Sequence, residues 1–323
     1  MYRFAPLLLT IGIANAQEFE APAIEVPQPT FVPIPLPNFE VNSETAYVVD
    51  LTTNEPVYAK NSSQRRSIAS ITKMMTAYVV VSTQQDYDGV ITISQEDVKL
   101  AARFRKSNLR AGMKFTRERL LNLALMSSEN IAAAALARTT FPGGVEQFVQ
   151  EMNAMASSLG MDHTRYVDPI GIGAENISTA EDLVKLISAA SHDDLIREFS
   201  TTKWKEVDLP TRSRHGKLTE YHNTNALVGF SDWDILIQKT GFTNAAGHCV
   251  IMVVNLQGHQ YAVVELNSPT NQQRAFDAIK LRHWVEEGDE LDSKDITNLS
   301  PYKHAVAKNT PTHKHRKHRR LNA

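Results

Sequence analysis

The sequence predicts a mixed α/β fold: an antiparallel sheet assembled from N- and C-terminal segments, flanked by helices, with a helical subdomain inserted. Short apolar stretches bounded by turn residues occur near both ends of the chain, as is typical of strands. Between them, over about residues 83–200, apolar residues recur at helical spacing instead. Strands on both sides of a helical middle indicate one sheet that is built from the two ends.

The predicted strands begin with a hairpin. Ala46–Leu51 and Pro56–Lys60 are joined at Thr53-Asn54, which is a turn signal. Three more strands are predicted in the last third of the chain, with a turn at Gln257–Gln260 between the last two: Ile235–Thr240, Cys249–Leu256 and Tyr261–Leu266.

The helices are predicted from apolar residues at helical spacing and from capping residues at the helix ends. The stretch Ser70–Val81 is apolar with a helical period, and Arg274–Val285 predicts a closing amphipathic helix. The other signals are capping residues: Ser94 with Asp97 and Ser178 with Glu181 as capping boxes, Thr116 as an N-cap, and Gly160 as a C′ residue.

The N-terminus resembles an export signal. Arg3 is followed by the apolar stretch Phe4–Ile13 and by the small-x-small triplet Ala14-Asn15-Ala16. Residues 1–16 are therefore predicted to be a signal peptide that is cleaved after Ala16, which places the mature protein in the periplasm, soluble or peripherally associated. The alternative is a short N-terminal helix of a cytoplasmic protein. No later apolar run reaches the roughly 20 residues that span a bilayer.

Composition divides the rest of the chain. Residues 17–40 are predicted to be a proline-rich linker, and residues 41–288 are predicted to form the folded domain, because the strand and helix periods lie there. Residues 289–323 are predicted to be a disordered, basic, His-rich tail, with seven Lys/Arg and four His in 301–323. Cys249 is the only cysteine, which excludes an internal disulfide, and its apolar surroundings predict a buried thiol.

Three short motifs carry the candidate chemistry. In Ser70-Ile71-Thr72-Lys73, the serine and the lysine share one face of a helix, one turn apart. A lysine amine has an ordinary pKa near 10.4, so burial or a second cation must lower that pKa before Lys73 can accept the Ser70 proton. The spacing alone is weak evidence, because Ser200–Lys203 and Ser300–Lys303 match it by chance.

The second motif, Ser128-Glu129-Asn130, follows a predicted helix and lies on a turn. A serine hydroxyl there can relay a proton, and an asparagine amide can hold a substrate carbonyl. The alternative is that Ser128 only caps the next helix.

The third motif, Lys239-Thr240-Gly241, ends a predicted strand. Glycine allows a substrate backbone to lie beside that strand. Lys239 would supply the second cation that lowers the pKa of Lys73. The alternative interpretation of this motif is an exposed lysine at the end of a strand, followed by a turn.

The order of the three motifs decides the interpretation, because S-x-x-K, S-x-N and K-T-G together are known from β-lactamases and penicillin-binding proteins. The chain resembles the low-molecular-mass penicillin-binding proteins, and most closely their soluble D-alanyl-D-alanine endopeptidases, from about Ala46 to Trp284. The resemblance is carried by Ala69–Ala77, Leu125–Asn130, Lys239–Gly247 and the loop Val167–Ala180.

The resemblance implies a DD-peptidase fold and a serine peptidase that cleaves peptidoglycan stem peptides and is inhibited by β-lactams. Ser70 is then the nucleophile, Lys73 its base and Ser128 the proton relay. Substrate contacts are implied for Asn130, Lys239, Thr240 and Gly241, and the backbone N–H of Phe242 joins that of Ser70 in the oxyanion hole. No metal or cofactor is implied.

Two departures from related families narrow the activity that is expected of this chain. Class A β-lactamases carry a deacylating loop glutamate, whereas residues 166–176 offer only Asp168 and Glu175, so slow release of β-lactams is expected. No further β-domain or C-terminal amphipathic helix of the membrane-anchored carboxypeptidases is visible after Gly288, which favours the endopeptidase type.

Two alternatives stay open at this point: a serine β-lactamase, and a non-catalytic wall-binding protein. For the tail, weak binding to anionic wall or membrane polymers is expected, metal binding through His313, His315 and His318 is the alternative, and specific nucleic-acid binding is not expected.

Overall fold

A five-stranded antiparallel sheet is the centre of the computed structural model, which describes residues 39–101, 107–209 and 217–288. The strands of this sheet come from the two ends of the described chain: β1 (Thr45–Asp50), β2 (Glu55–Lys60), β9 (Asp234–Thr243), β10 (Gly247–Leu256) and β11 (His259–Ser268). Their order in the sheet is β2-β1-β11-β10-β9. The predicted fold class is therefore confirmed.

Helices and short strand pairs fill the sequence between β2 and β9. The helices of the described chain are α1 (Thr72–Ser82), α2 (Gln95–Ala101), α3 (Arg117–Met126), α4 (Asn130–Thr140), α5 (Gly144–Ser158), α6 (Ala180–Ala190), α7 (Asp194–Thr201) and, after the sheet, α8 (Asn271–Glu287). The short strands pair as β3 (Arg66–Ser67) with β6 (Ile177–Ser178), β4 (Val90–Thr92) with β5 (Lys114–Thr116), and β7 (Trp204–Leu209) with β8 (Lys217–His222).

Both faces of the sheet are covered, which explains the nearly continuous apolar sequence of its central strands. On β10, Ile251 and Val253 pack in the core formed with the helices α1 and α3–α6, whereas Met252 and Val254 pack in a second core against α8. Residues on alternate faces of one strand thus belong to different cores. The edge strand β9 pairs only with β10 among the described strands.

Several predicted helix ends are confirmed. Ser94 and Asp97 form the reciprocal capping box at α2, with N–H···O distances of 2.8 and 3.1 Å. Thr116 caps α3, and Gly160 follows α5 with φ = +68°. The capping box at Ser178 and Glu181 is wrong, because Thr179 accepts the Asp182 N–H at α6 while Ser178 pairs with Arg66 in β6.

The late strands differ from the prediction in three respects. Lys239-Thr240-Gly241 lies inside β9 and does not end it, because pairing with β10 continues to Thr243. The β10–β11 turn is only Gln257-Gly258, whose positive φ angles of 51° and 86° suit a two-residue hairpin. The hairpin β7–β8 was not predicted.

Cys249 is fully buried as expected, and burial raises the pKa of its thiol to about 11. Among the described residues, no helix has both the length and the apolar character needed to cross a bilayer. The predicted signal peptide (1–16), nearly all of the linker (17–40) and the tail (289–323) lie outside the described residues.

A buried polar cluster joins the start of the fold to β11 and α8. The Ser43 hydroxyl lies 3.1 Å from Glu265 Oε2 and 2.8 Å from Asp277 Oδ2. A hydroxyl has one proton, so it donates to only one of these two carboxyl groups at a time. Burial raises the pKa of Glu265 well above its ordinary value. Burial therefore favours the neutral form of Glu265, in which its carboxyl group donates to Ser43 while Ser43 donates to Asp277.

This protonation state predicts the stability of Glu265→Gln. A glutamine keeps the neutral shape, so the unfolding temperature at pH 7.5 should stay within about 3 °C of the wild type, measured by circular dichroism. If Glu265 were ionised, the substitution would leave the buried Arg274 less compensated, at a cost of about 3 kcal/mol or more. A fall of at least about 6 °C would therefore contradict the neutral state.

Candidate active site

Ser70 lies in a one-turn 3₁₀ helix, Ala69–Ile71, directly before α1. Its two neighbours are fully buried, whereas Ser70 itself is partly exposed. Ala69 has φ = +46°, a conformation that L residues adopt rarely and that is frequent at functional sites. Ser70 is therefore held between two buried residues while it remains partly exposed itself.

Lys73 lies one turn further along and points back at Ser70. Its Nζ is 2.8 Å from Ser70 Oγ and 2.7 Å from the Ile170 carbonyl oxygen, and the residue is 0% exposed. Desolvation of an ammonium favours its neutral form, and a neutral amine can accept a hydroxyl proton over this distance. The predicted Ser70–Lys73 pair is thus in direct contact.

The loop 167–180 packs beneath this pair. The Pro169 carbonyl accepts from Thr76 Oγ1 at 2.6 Å, and Asn176 Nδ2 donates to Thr72 Oγ1 at 3.0 Å. Gly171 has φ = +78°, and a Cβ atom at this position would lie 1.9 Å from the Ala69 carbonyl oxygen. Only glycine therefore allows the loop to approach the Ser70 turn this closely.

The two acidic residues of the loop have different surroundings. Asp168 Oδ1 accepts from the backbone N–H groups of Ile170 and Gly171, at 2.7 and 2.6 Å, so this carboxylate holds the loop closed. Glu175 is exposed. Sequence reasoning identified the loop but not the roles of Thr76, Asn176 and Gly171, because these depend on contacts between distant segments.

The Ser128-Glu129-Asn130 motif forms the turn between α3 and α4, as expected. Ser128 has φ = +58° and is partly exposed. The alternative that Ser128 caps α4 is wrong, since Glu129 is the N-cap and accepts the Ile131 N–H at 3.0 Å. Ser127 Oγ donates to the Leu123 carbonyl, so the helix ends do not require the Ser128 hydroxyl.

The K-T-G strand runs directly past the Ser70 turn. A Cβ atom at Gly241 would lie 3.0 Å from the backbone nitrogen of Ser70 and 2.9 Å from the Ile68 carbonyl oxygen. Lys239 is fully buried, with Nζ 2.8 Å from the Thr240 carbonyl oxygen, which excludes the exposed strand end considered above. Because β9 is an edge strand of the described sheet, an extended peptide can lie beside it.

Phe242 follows the motif and is 48% exposed, and its ring stacks on the cross-strand His248 at a centroid distance of 4.2 Å. Burial, with a smaller effect of the Arg274 cation, lowers the pKa of His248 to about 4. His248 is therefore neutral at physiological pH and acts as an uncharged support for Phe242. The sequence offered no signal for this residue.

The chance copies of the S-x-x-K spacing are not built this way. Ser200 is buried near the end of α7, and Lys203 is exposed after that helix. Ser300 and Lys303 lie outside the described residues. Within the described chain, the arrangement of serine, buried lysine and K-T-G strand therefore occurs at Ser70.

Comparisons with known proteins agree with this arrangement. A family model described as D-alanyl-D-alanine carboxypeptidase matches residues 31–270. The D-alanyl-D-alanine endopeptidase of Escherichia coli is 40% identical over 251 residues, which cover 77% of this chain and 79% of the relative. The D-alanyl-D-alanine endopeptidase of Pseudomonas aeruginosa is 40% identical over 284 residues, which cover 87% of this chain and 87% of the relative.

A solved structure, the Streptomyces K15 DD-transpeptidase, matches with a TM-score of 0.70 and 28% identity over 76% of this chain and 97% of that one. The family predicted from the three motifs is thus confirmed. The chain belongs to the D-alanyl-D-alanine carboxypeptidase family and is a serine-type D-alanyl-D-alanine peptidase.

Proposed function

We propose that this peptidase acts mainly as an endopeptidase, which cleaves the peptide cross-links of peptidoglycan, with carboxypeptidase action on free pentapeptide ends as a second activity. The observation that carries the proposal is the 2.8 Å contact between Ser70 Oγ and the buried Lys73 amine beside the edge strand β9. The two relatives at 40% identity are both named endopeptidases, which supports the preference for cross-links.

The first chemical step is acylation of Ser70. The neutral Lys73 amine takes the hydroxyl proton while Ser70 Oγ forms a bond to the carbonyl carbon of the D-alanyl residue. The resulting oxyanion accepts hydrogen bonds from the backbone N–H groups of Ser70 and Phe242. The peptide C–N bond then breaks, Ser128 passes a proton to the leaving amine, and an ester of Ser70 remains.

Substrate is held along β9 and at the S-x-N turn. Thr240 and Lys239 meet the anionic or carbonyl end of the substrate, while the Asn130 amide contacts a substrate carbonyl or N–H group. Gly241 leaves room for the substrate backbone next to the strand. Water then attacks the ester, with Lys73 or Ser128 as the base, and releases the acid with Ser70 regenerated.

β-Lactams are proposed to acylate the same serine and to leave slowly. The support is the loop 167–180, where Asp168 is engaged by backbone N–H groups and Glu175 is exposed. Neither carboxylate is thus arranged as the deacylating base of a class A β-lactamase. The β-lactamase alternative is disfavoured for this reason, and the idle wall-binding alternative by the intact Ser70–Lys73 contact.

The arrangement of the whole chain is proposed from sequence. Residues 1–16 act as a cleaved signal peptide, 17–40 as a spacer, 41–288 as the catalytic domain with its helical subdomain at about 83–200, and 289–323 as a basic tail. This arrangement places the enzyme in the periplasm next to peptidoglycan. The tail then attracts anionic polymers weakly.

The proposed function predicts the products of a muropeptide digest. Purified cross-linked dimers should be converted to monomers at least about tenfold faster than pentapeptide monomers lose their terminal D-alanine, as followed by chromatography and mass spectrometry. Lys73→Met should lower both rates by about 10² to 10⁴, the usual contribution of a general base. Lys203→Met is the matched control, with an expected change below about twofold because Lys203 is exposed.

Faster loss of terminal D-alanine than of cross-links would contradict the endopeptidase preference. Hydrolysis of a chromogenic cephalosporin faster than of muropeptides would indicate a β-lactamase. Equal rates for Lys73→Met and the wild type would contradict the role of Lys73.

The contact between the loop and Lys73 predicts that alanine substitutions at two loop glycines have different effects on acylation. Gly171→Ala places a Cβ atom 1.9 Å from the Ala69 carbonyl oxygen at a positive φ, so the loop must move and the Ile170 carbonyl must leave Lys73. Penicillin acylation should slow by about tenfold or more, since a misplaced catalytic group is costly. Gly173→Ala in the same loop meets its nearest atoms at 3.8 Å and should behave as wild type. Equal acylation rates for the two variants would contradict this role of the loop.

A further inference from the structure

A short connector, Asn223–Asn225, links β8 to the next 3₁₀ turn and lies between the S-x-N turn and the K-T-G strand. Asn223 and Asn225 are buried, whereas Thr224 is partly exposed. The three motifs assign no role to this connector. Its position next to two of them raises the question of what Thr224 does in the reaction.

Asn223 fixes the connector firmly. Its Nδ2 donates to the carbonyl oxygens of Ser200 and Thr202 at 2.8 and 2.9 Å. Its Oδ1 accepts from the Asn225 N–H and from Gln238 Nε2, both at 2.9 Å. Gln238 immediately precedes Lys239 on β9. The side chain thus uses all four of its hydrogen-bonding positions to join the end of α7 to the K-T-G strand.

Thr224 makes one contact with each motif. Its backbone N–H donates to the carbonyl oxygen of Met126, the last residue of α3 and two residues before Ser128. Its hydroxyl accepts from Thr240 Oγ1 at 2.7 Å. One residue, held in place by Asn223, therefore connects the turn that carries Ser128 to the side chain that meets the substrate.

We propose that Thr224 is a positioning residue for the peptidase reaction, acting through the hydroxyl of Thr240; this rests on the proposed role of Thr240 in binding substrate. The contact fixes the rotamer of Thr240, whose β-branched side chain has few alternatives. A threonine hydroxyl can both donate and accept, so Thr224 can become the donor when Thr240 turns its proton to a substrate oxygen. Thr240 then keeps a hydrogen-bond partner in the free and the bound enzyme.

The test compares Thr224→Val, Thr224→Ser, Thr240→Val and the double variant Thr224→Val/Thr240→Val. The second-order rate of acylation by a fluorescent penicillin is measured for each, together with kcat and KM on cross-linked muropeptides and the unfolding temperature. Thr201→Val is the matched control, because its hydroxyl bonds the Arg197 carbonyl within its own helix.

Thr224→Val should lower the acylation rate by about tenfold, the upper range for one hydrogen bond, with an unfolding temperature close to that of the wild type. Thr224→Ser retains the hydroxyl and should stay within about twofold of the wild type. Because Thr224 acts through Thr240, the double variant should be no slower than Thr240→Val alone.

Wild-type rates in Thr224→Val, or losses that multiply in the double variant, would overturn the proposal. A loss that follows the unfolding temperature and is not rescued by Thr224→Ser would overturn it too. In each of these outcomes the wild-type enzyme is still acylated, so the proposed function would stand. A wild-type protein that penicillin does not acylate would instead overturn the proposed function itself.

Discussion

The Lys73 side chain is fully buried, with its amine between Ser70 Oγ and the carbonyl oxygen of Ile170. A buried amine is costly as a cation unless it is well paired. The proposed mechanism requires the neutral form of this amine, because only that form accepts a proton. The loop 167–180 supplies the carbonyl and closes the space beneath α1, so the loop and the helix together create the environment of the amine. The chemistry proposed for Ser70 depends on this enclosed contact.

Two glycines set the distances around the contact. Gly171 brings the loop against the Ala69 carbonyl, and Gly241 brings β9 against the backbone nitrogen of Ser70. A side chain at either position would separate segments that are far apart in the sequence. The backbone of the Ser70 turn is therefore approached closely from both sides, while Ser70 itself stays partly exposed. Thr224 then ties β9 to the Ser128 turn.

Much of this arrangement could be predicted because its signals are local. The hairpin at Thr53-Asn54, the cap at Thr116 and the three motifs are each written in a few consecutive residues. The partners of the motifs lie far away in the sequence: Asn176 reaches Thr72 across 104 positions, and Thr224 reaches Thr240 from the connector that follows the hairpin β7–β8, which was not predicted. The misplaced cap at α6 has a similar cause, because pairing of Ser178 with Arg66 in a two-residue strand moves the helix start by one residue.

Peptide mapping of the penicillin adduct identifies the nucleophile. After brief incubation with penicillin and proteolysis, we expect one modified peptide that contains Ser70, with no adduct in Ser70→Ala. The adduct should persist during dilution, in line with slow release. An adduct on any other residue, or stoichiometric labelling of Ser70→Ala, would contradict the assignment of the nucleophile and of the site built around Lys73.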